Sequence, residues 1–211
     1  MDRDIGNLIV ISAPSGAGKT SLVRAMVAST DAVSTSTSYT TRSRRAGETE
    51  GEDYFFVDKE AFRQMISNGD FLEHAEVFGN LYGTSRAQVQ RSLDNGIDLM
   101  LEIDWQGARN VRRVFPEAVS IFILPPSKEV LRERLIGRGG DNLQVIEQRM
   151  EAAMSEMSHF GEYEFLVIND DFDQALEEVC AIVTACRLKT AVQRRRLRPN
   201  LAGLMASADA L

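Results

Sequence analysis

The sequence predicts an α/β fold in which helices cover both faces of a parallel sheet and inserted lobes interrupt the core. Three observations predict it. The runs "NLIVIS", "DLMLEID" and "SIFILPP" are apolar without the polar alternation of a half-exposed strand, so they read as strands buried on both faces. Helical patterns alternate with them along the chain, as parallel βαβ units require. Two stretches break that rhythm: 35–85, polar and glycine-rich with a short strand or two, and 126–160, charged and helical. The expected organisation is therefore a core of 1–33, 96–125 and 161–211, one inserted lobe at 34–95 and a second, helical one at 126–160.

The first strand candidate, 7–12, leads into "SAPSGAGKTS", and a helix candidate at 20–29 follows with Leu22, Val23, Met26 and Val27 on one face. Strand, glycine-rich loop and helix in that order match the phosphate-cradling pattern G-x-x-x-x-G-K-[ST], except that its first position is Ala13. Along the loop of Ala13, Pro14, Ser15 and Ala17, Gly16 and Gly18 supply the backbone freedom where chain and phosphate come closest. Lys19 supplies an ammonium, and Thr20 a hydroxyl for the metal that neutralises the phosphates. The helix N-terminus adds partial positive charge at the same place. Only the strand-exit position is altered, and alanine is the smallest side chain that could stand there.

Further strands are expected at 53–57, 98–103, 119–124 and 164–169, and helices at 59–67, 86–95, 106–114, 127–136, 142–159 and 172–197. In "STSTSYTTRSRRAGETEGEDYFF", Arg42 and Arg45 stand three apart beside Gly47, so their forked donors can converge on one phosphate, with the Tyr54 hydroxyl completing the shell. "FLEHAEVFGNLYGTS" sets Glu73 in an otherwise apolar run, followed by Gly79, Tyr82, Gly83 and Thr84. "LMLEIDWQGA" ends a strand in two acids, Glu102 and Asp104, where a phosphate-loop enzyme keeps a carboxylate near its metal. Trp105 reads as packing. In the second lobe Arg134 and Arg138 lie four apart on one helical face, Arg149 lies on the next helix, and "GRGGDN" between them is hinge-like.

The bulk properties narrow the classes. With 211 residues and 44% hydrophobic content the chain can bury a real core, and no apolar run is long enough to span a bilayer. The N-terminal "MDRDIGN" has no secretory apolar segment, so a cytoplasmic protein is expected, with no membrane partner. Cys180 and Cys186, six apart in a helical segment, fit neither a metal spacing nor a disulfide framework and read as reduced packing residues. His74 and His159 have no metal partners at useful spacing. A net charge of −7 argues against nucleic acid as a partner; local arginine clusters suggest small anions. The basic run "RLKTAVQRRRLR" reads as a solvated helix end complementing its dipole. Oligomeric state and the tail "PNLAGLMASADAL" are left open.

Taken together, "SAPSGAGK", the arginine and tyrosine run through Tyr54, "FLEHAEVFGNLYGTS" and "EIDWQGA" resemble the guanylate kinases, a family of P-loop nucleoside monophosphate kinases, over roughly 7–170 of the chain. The family commonly has Ala at the first loop position. The resemblance implies ATP on the loop from Ala13 to Thr20, with Mg²⁺ held through Thr20 and its waters. It implies the acceptor phosphate of GMP on Arg42, Arg45, Tyr54 and Tyr82, and guanine on Ser38, Glu73 and Thr84, with Asp104 near the base or the metal. The family more often has Asp at position 102, so Asp104 is the favoured acid here. It also implies that 126–160 is a lid whose Arg134, Arg138 and Arg149 reach ATP's phosphates, and that Lys19, Arg42, Arg138 and Arg149 carry catalysis.

The chemistry agrees at Glu73. Guanine presents N1–H and a 2-amino group side by side, and one carboxylate accepts both; adenine has an acceptor at N1 and lacks the amino group. A closed site built this way rejects adenine because a lone pair is left unpaired. Two rivals carry other expectations: a non-catalytic interaction module, which should show a degraded phosphate loop, and a related kinase with a ribose-phosphate acceptor, which would not need Glu73, Ser38 and Thr84.

Overall fold

The computed structural model describes residues 5–77, 79–137 and 142–197, with nothing stated for the Arg196 side chain. Along the chain run β1 (Leu8–Ser12), α1 (Lys19–Ser29), β2 (Val33–Thr35), β3 (Ser38–Thr40), β4 (Tyr54–Phe56), α2 (Lys59–Asn68), β5 (Phe71–Val77), β6 (Asn80–Ser85) and α3 (Arg86–Asp94). After them come β7 (Asp98–Glu102), α4 (Trp105–Val114), β8 (Val119–Leu124), α5 (Lys128–Gly137) and α6 (Leu143–Met157). A short 3₁₀ turn at Phe160–Glu162, β9 (Phe165–Ile168), α7 (Phe172–Leu188) and α8 (Thr190–Arg196) complete it.

Five strands form a parallel sheet in the order β2-β7-β1-β8-β9, with Leu8 beside Leu99 and Ile9 beside Val119. The absence of polar alternation in β1 has its cause here. Ile9 and Ile11 face α1 and α7, packing with Leu22, Met26, Val179 and Val183, while Leu8 and Val10 face α3 and α4, packing with Val89, Leu93, Ala108 and Val111. Each such fully buried side chain contributes about 1.5–3 kcal/mol of transfer free energy, so both layers hold β1 and the loop that leaves it. At the sheet's base, buried Asp98 accepts hydrogen bonds from Asn7 and from Arg187 (2.6 Å). Arg187, expected in a solvated basic run, is thus an anchor of α7.

A second sheet, β4-β3-β6-β5, belongs to the first insertion. β3 and β4 are parallel, whereas β5 and β6 form an antiparallel hairpin through Gly79, whose φ is +74°. This lobe has more regular structure than the short strand or two expected from sequence. The hairpin hides because a bulge between Phe71 and Glu73 breaks the period of two, burying Phe71, Leu72 and Glu73 in succession. The expected single helix 172–197 is instead α7 and α8, bent at Lys189. Gln193 Nε2 caps the Arg187 carbonyl at 2.9 Å, and the bend turns Val192 inward to 5% exposure. Both cysteines are free, Cys186 buried and Cys180 half-buried. Among the described residues no helix is long and apolar enough to cross a membrane. The tail 199–211 lies outside the described residues.

Candidate functional site

The loop between β1 and α1 has the geometry its sequence implies. Gly16 and Gly18 adopt φ of +96° and +90°, and Ala17 donates back to the Pro14 carbonyl at 3.1 Å. Both glycines are also required by their neighbours. A Cβ at Gly16 would lie 2.9 Å from Leu131 of α5, and one at Gly18 would lie 2.3 Å from Asn169 Nδ2. That amide, buried at the end of β9, donates to the Ala17 carbonyl at 2.7 Å and so braces the loop from behind. Ala13, the departure from the pattern, packs against the apolar cluster around β1. Lys19 and Thr20 open α1, and the Thr20 hydroxyl donates to Glu102 Oε2 at 3.0 Å.

These residues line one cleft of about 320 Å³ shared with the inserted lobe. The core contributes Ala13–Gly16, Gly18, Lys19, Thr20, Glu102, Ile103 and Asp104; the lobe contributes Tyr54, Glu73, Ala75, Val77 and Tyr82; α6 contributes Glu156. Glu73 is 5% exposed and accepts a 2.6 Å hydrogen bond from Thr84 Oγ1. Burial pushes its carboxyl up to about 7; the Thr84 bond opposes the shift and Asp104 adds to it. Gly107 of α4 makes room for it, since a Cβ there would stand 2.7 Å from Glu73 Oε2.

Arg42 is set for an anion but already partnered. Glu48 grips its guanidinium with two oxygens, at 2.7 and 3.1 Å, and the guanidinium lies 5.3 Å from the centre of the Tyr54 ring. The Glu48 hydrogen bond raises the Arg42 pKa further and holds Glu48 below the usual carboxylate range. Tyr54 and Tyr82 meet edge to face at 6.0 Å, and burial raises the Tyr54 phenol.

Other expected residues stand back from the cleft wall. Ser38 pairs in register with Tyr54 on the neighbouring strand, and Thr84 reaches the cleft through Glu73. Arg45 is exposed, with its backbone N–H bonded to Glu48. Arg134 donates to the Asn169 carbonyl at 3.0 Å, while its Nη1 is buried without a partner among the described residues. Arg149 is half-buried on α6, and Arg138 lies outside the described residues.

The two acids at the end of β7 take different partners. Asp104 caps α4, accepting from the Gly107 N–H at 2.9 Å and from Gln106 at 3.1 Å, so both its oxygens are engaged. Glu102, the less favoured acid on sequence, is the one the Thr20 hydroxyl touches. Among the described residues no group of three or more His, Cys, Asp or Glu is arranged to hold a metal ion. Two hard oxygen ligands, a hydroxyl and a carboxylate, nevertheless suit Mg²⁺, which takes one or two protein oxygens and completes its shell with water and phosphate. His159 stacks on Trp105 at 3.7 Å and pairs with Glu162, which Arg109 chiefly holds down to about 2. Sequence reasoning missed Glu48, Gly107, Glu156 and Asn169; only Glu156 left a trace, standing seven residues after Arg149 and so on the same face of α6.

Comparison with known proteins supplies an independent line. A family model described as Guanylate kinase matches residues 5–186. The chain is 56% identical over 200 residues to the guanylate kinase of Alkalilimnicola ehrlichii, covering 95% of this chain and 98% of that one. It is 53% identical over 199 residues to that of Coxiella burnetii, covering 94% and 97%. Among solved structures, guanylate kinase from Anaplasma phagocytophilum superposes with a TM-score of 0.73 at 35% identity, covering 92% of this chain and 97% of that one.

Proposed function

This chain belongs to the guanylate kinase family, and we propose that its cleft performs reversible transfer of the γ-phosphoryl of ATP to GMP, giving ADP and GDP, with the residue roles that follow. The observation that carries the reading is the buried carboxylate of Glu73 in one cleft with an intact phosphate loop. A carboxylate withdrawn from water at that cost needs a ligand with two adjacent donors, and guanine has them. An interaction module has no use for Lys19 and Thr20 in working positions, and a ribose-phosphate acceptor has none for Glu73.

In this reading the N–H groups from Ser15 to Gly18, with Lys19, hold the β- and γ-phosphates. Arg42, Arg45, Tyr54 and Tyr82 hold the phosphate of GMP, which it meets when Arg42 exchanges Glu48 for the incoming anion. Glu73 reads guanine while Thr84 and Ser38 steady that end of the lobe, and Asp104 fixes the start of α4 beside it. Thr20 and Glu102 hold Mg²⁺, whose charge offsets that of the phosphates when it is bound. The acceptor oxygen is already anionic, so no general base is required; catalysis is positioning and charge neutralisation. The insertion 34–95 serves as the GMP lobe, and 126–160 as a lid that brings Arg134, Arg138 and Arg149 to ATP and excludes water. The reaction belongs to purine nucleotide recycling in the cytoplasm, with small-molecule substrates alone.

A coupled assay for ADP formation with Mg²⁺ and ATP, run with GMP, AMP, CMP, dTMP and no acceptor, tests it. Turnover with GMP well above all other arms is expected; equal rates with AMP, or none with GMP, would overturn the assignment.

A further inference from the structure

Asn169, the residue after β9, does more than fill the space behind the phosphate loop. Its backbone is fixed on both sides: the N–H donates to the Leu124 carbonyl of β8 at 2.8 Å, and the carbonyl accepts from Arg134 of α5 at 3.0 Å. From that base the buried side-chain amide donates to the Ala17 carbonyl at 2.7 Å. Among the described residues Gly18 lines the cleft, whereas Ala17 and Asn169 are buried and do not. The peptide that joins Ala17 to Gly18 therefore has its oxygen turned away from the cleft. A trans peptide is planar, with its C=O and N–H opposed, so the N–H of Gly18 points the other way, to the phosphate side. From this geometry we infer that Asn169 is a positioning residue for phosphoryl transfer: its amide sets the direction of the Gly18 N–H that meets the phosphates of ATP. The inference rests on the reading that this loop binds ATP.

The loop needs such a residue because of what gives it its shape. Gly16 and Gly18, at φ of +96° and +90°, stand on either side of Ala17, and glycine's freedom lets a peptide between two of them rotate. A hydrogen bond from a side chain with a pinned backbone selects one rotation. An N–H aimed in advance spares reorganisation when charge shifts along the phosphates. The residue type follows from the position. Asparagine offers a donor on a short stem without net charge, whereas an aspartate would face the Ala17 oxygen with another acceptor. A longer side chain has no room, since the amide nitrogen already stands 2.3 Å from where a Cβ on Gly18 would lie. Glycine at 18 and asparagine at 169 thus require each other.

The test compares wild type with Asn169→Leu, which keeps the size and removes the donor, and Asn169→Ser, which keeps a donor on a shorter stem. Calorimetry with inorganic tripolyphosphate and with GMP reads the two ends of the cleft separately. Tripolyphosphate affinity should fall about ten- to thirtyfold in Asn169→Leu, the size of one lost hydrogen bond to a charged group, and by less in Asn169→Ser. The kcat should fall alongside, while the Kd for GMP stays within about twofold of wild type. Wild-type protein supplies a reading that needs no variant to fold. Its Gly18 amide proton resonance should move downfield as tripolyphosphate binds, because a hydrogen bond to an anionic oxygen deshields it. A Gly18 resonance that stays in place while tripolyphosphate binds would overturn the inference. So would variants that keep wild-type tripolyphosphate affinity, or that lose affinity for tripolyphosphate and GMP alike, which would make Asn169 a packing residue. Wild-type protein that bound no tripolyphosphate would overturn the ATP reading together with the inference, and its turnover with ATP and GMP checks that reading independently.

Discussion

The phosphate loop and the end of the cleft proposed to read guanine solve opposite problems by opposite means. The loop is one continuous stretch that works, in the proposed reading, through backbone N–H groups and Lys19; Asn169 braces it from behind and, with Leu131 beside it, forbids side chains at Gly18 and Gly16. The guanine end is assembled from separate elements: Glu73 from a bulged β5, Thr84 from β6 and a cleared space at Gly107 of α4. In the proposed reading one region binds charge with backbone dipoles and a lysine. The other, in that reading, binds a neutral base with a buried ionisable group, and its chemistry depends on what surrounds that group.

Breaking each region in turn should therefore give different failures. Lys19→Ala removes a charge from the transferring phosphoryl group and should lower kcat by about 10²–10³ with little change in thermal stability. Near wild-type kcat would remove the loop's lysine from the chemistry. Glu73→Gln should lower kcat/KM for GMP by about 10², leaving ATP KM nearly fixed, because one acceptor of a bidentate pair becomes a donor facing a donor. The same variant should gain about 1–2 kcal/mol of stability at pH 8. In the folded protein burial raises this carboxyl from 4.5 to about 7, so stability is lost as pH rises between those values and the loss, which Gln does not share, is complete by pH 8. Steady-state kinetics and a melting curve check both signs; a Glu73→Gln variant that is both less stable and fully active on GMP would make Glu73 a structural residue.

What was legible in the sequence divides along the same line. β1, the loop and α1 were readable because their information is local: an apolar run, two glycines at fixed spacing, a lysine and a helical face. The buried strands β7 and β8, and the apolar run of the edge strand β9, were readable for the same reason. The β5–β6 hairpin was not, because its bulge erases the alternation that marks a strand, and the bend at Lys189 carries neither Gly nor Pro. Within the site, Glu73 and Arg42 were found through motif resemblance, but their immediate partners were less visible. Glu48 reaches Arg42 within a loop that has no period to mark it, Gly107 acts across the fold, and the contact between Thr20 and Glu102 spans 82 positions of chain. No pattern in the sequence distinguishes which of the two acids at the end of β7 turns toward the loop and which caps a helix.

A gentler way to sharpen the contrast is to crowd Glu73 without touching it. Gly107→Ala places a methyl group 2.7 Å from Glu73 Oε2, and the carboxylate, held on its other oxygen by Thr84, has to tilt or break that bond. Alanine is a better helix residue than glycine by roughly 0.5–1 kcal/mol, so the substitution suits α4 itself. GMP KM should rise by about ten- to thirtyfold with ATP KM constant. A parallel rise in both, or none, would show that the clearance at Gly107 does not set the guanine reader.

The smallest effect needs no mutation. A guanine reader that titrates near 7 must be ionised to accept two donors, so GMP capture should be coupled to loss of a proton. Below pH 7 the folded protein holds Glu73 increasingly as the neutral acid, which offers a donor where N1–H or the 2-amino group also donates. Between pH 8 and pH 6, kcat/KM for GMP should fall by up to about tenfold, since that ratio follows the ionised fraction of the free enzyme. ATP has no such dependence on this group, and its kcat/KM at saturating GMP should stay flatter over the window. The phosphate of GMP titrates near 6 by analogy with other phosphomonoesters and adds a limb of its own at the acid end. The two limbs separate in Glu73→Gln, which keeps the phosphate's and should lose the one near 7. A limb near 7 that survives in that variant would assign the titration elsewhere and leave Glu73 ionised throughout.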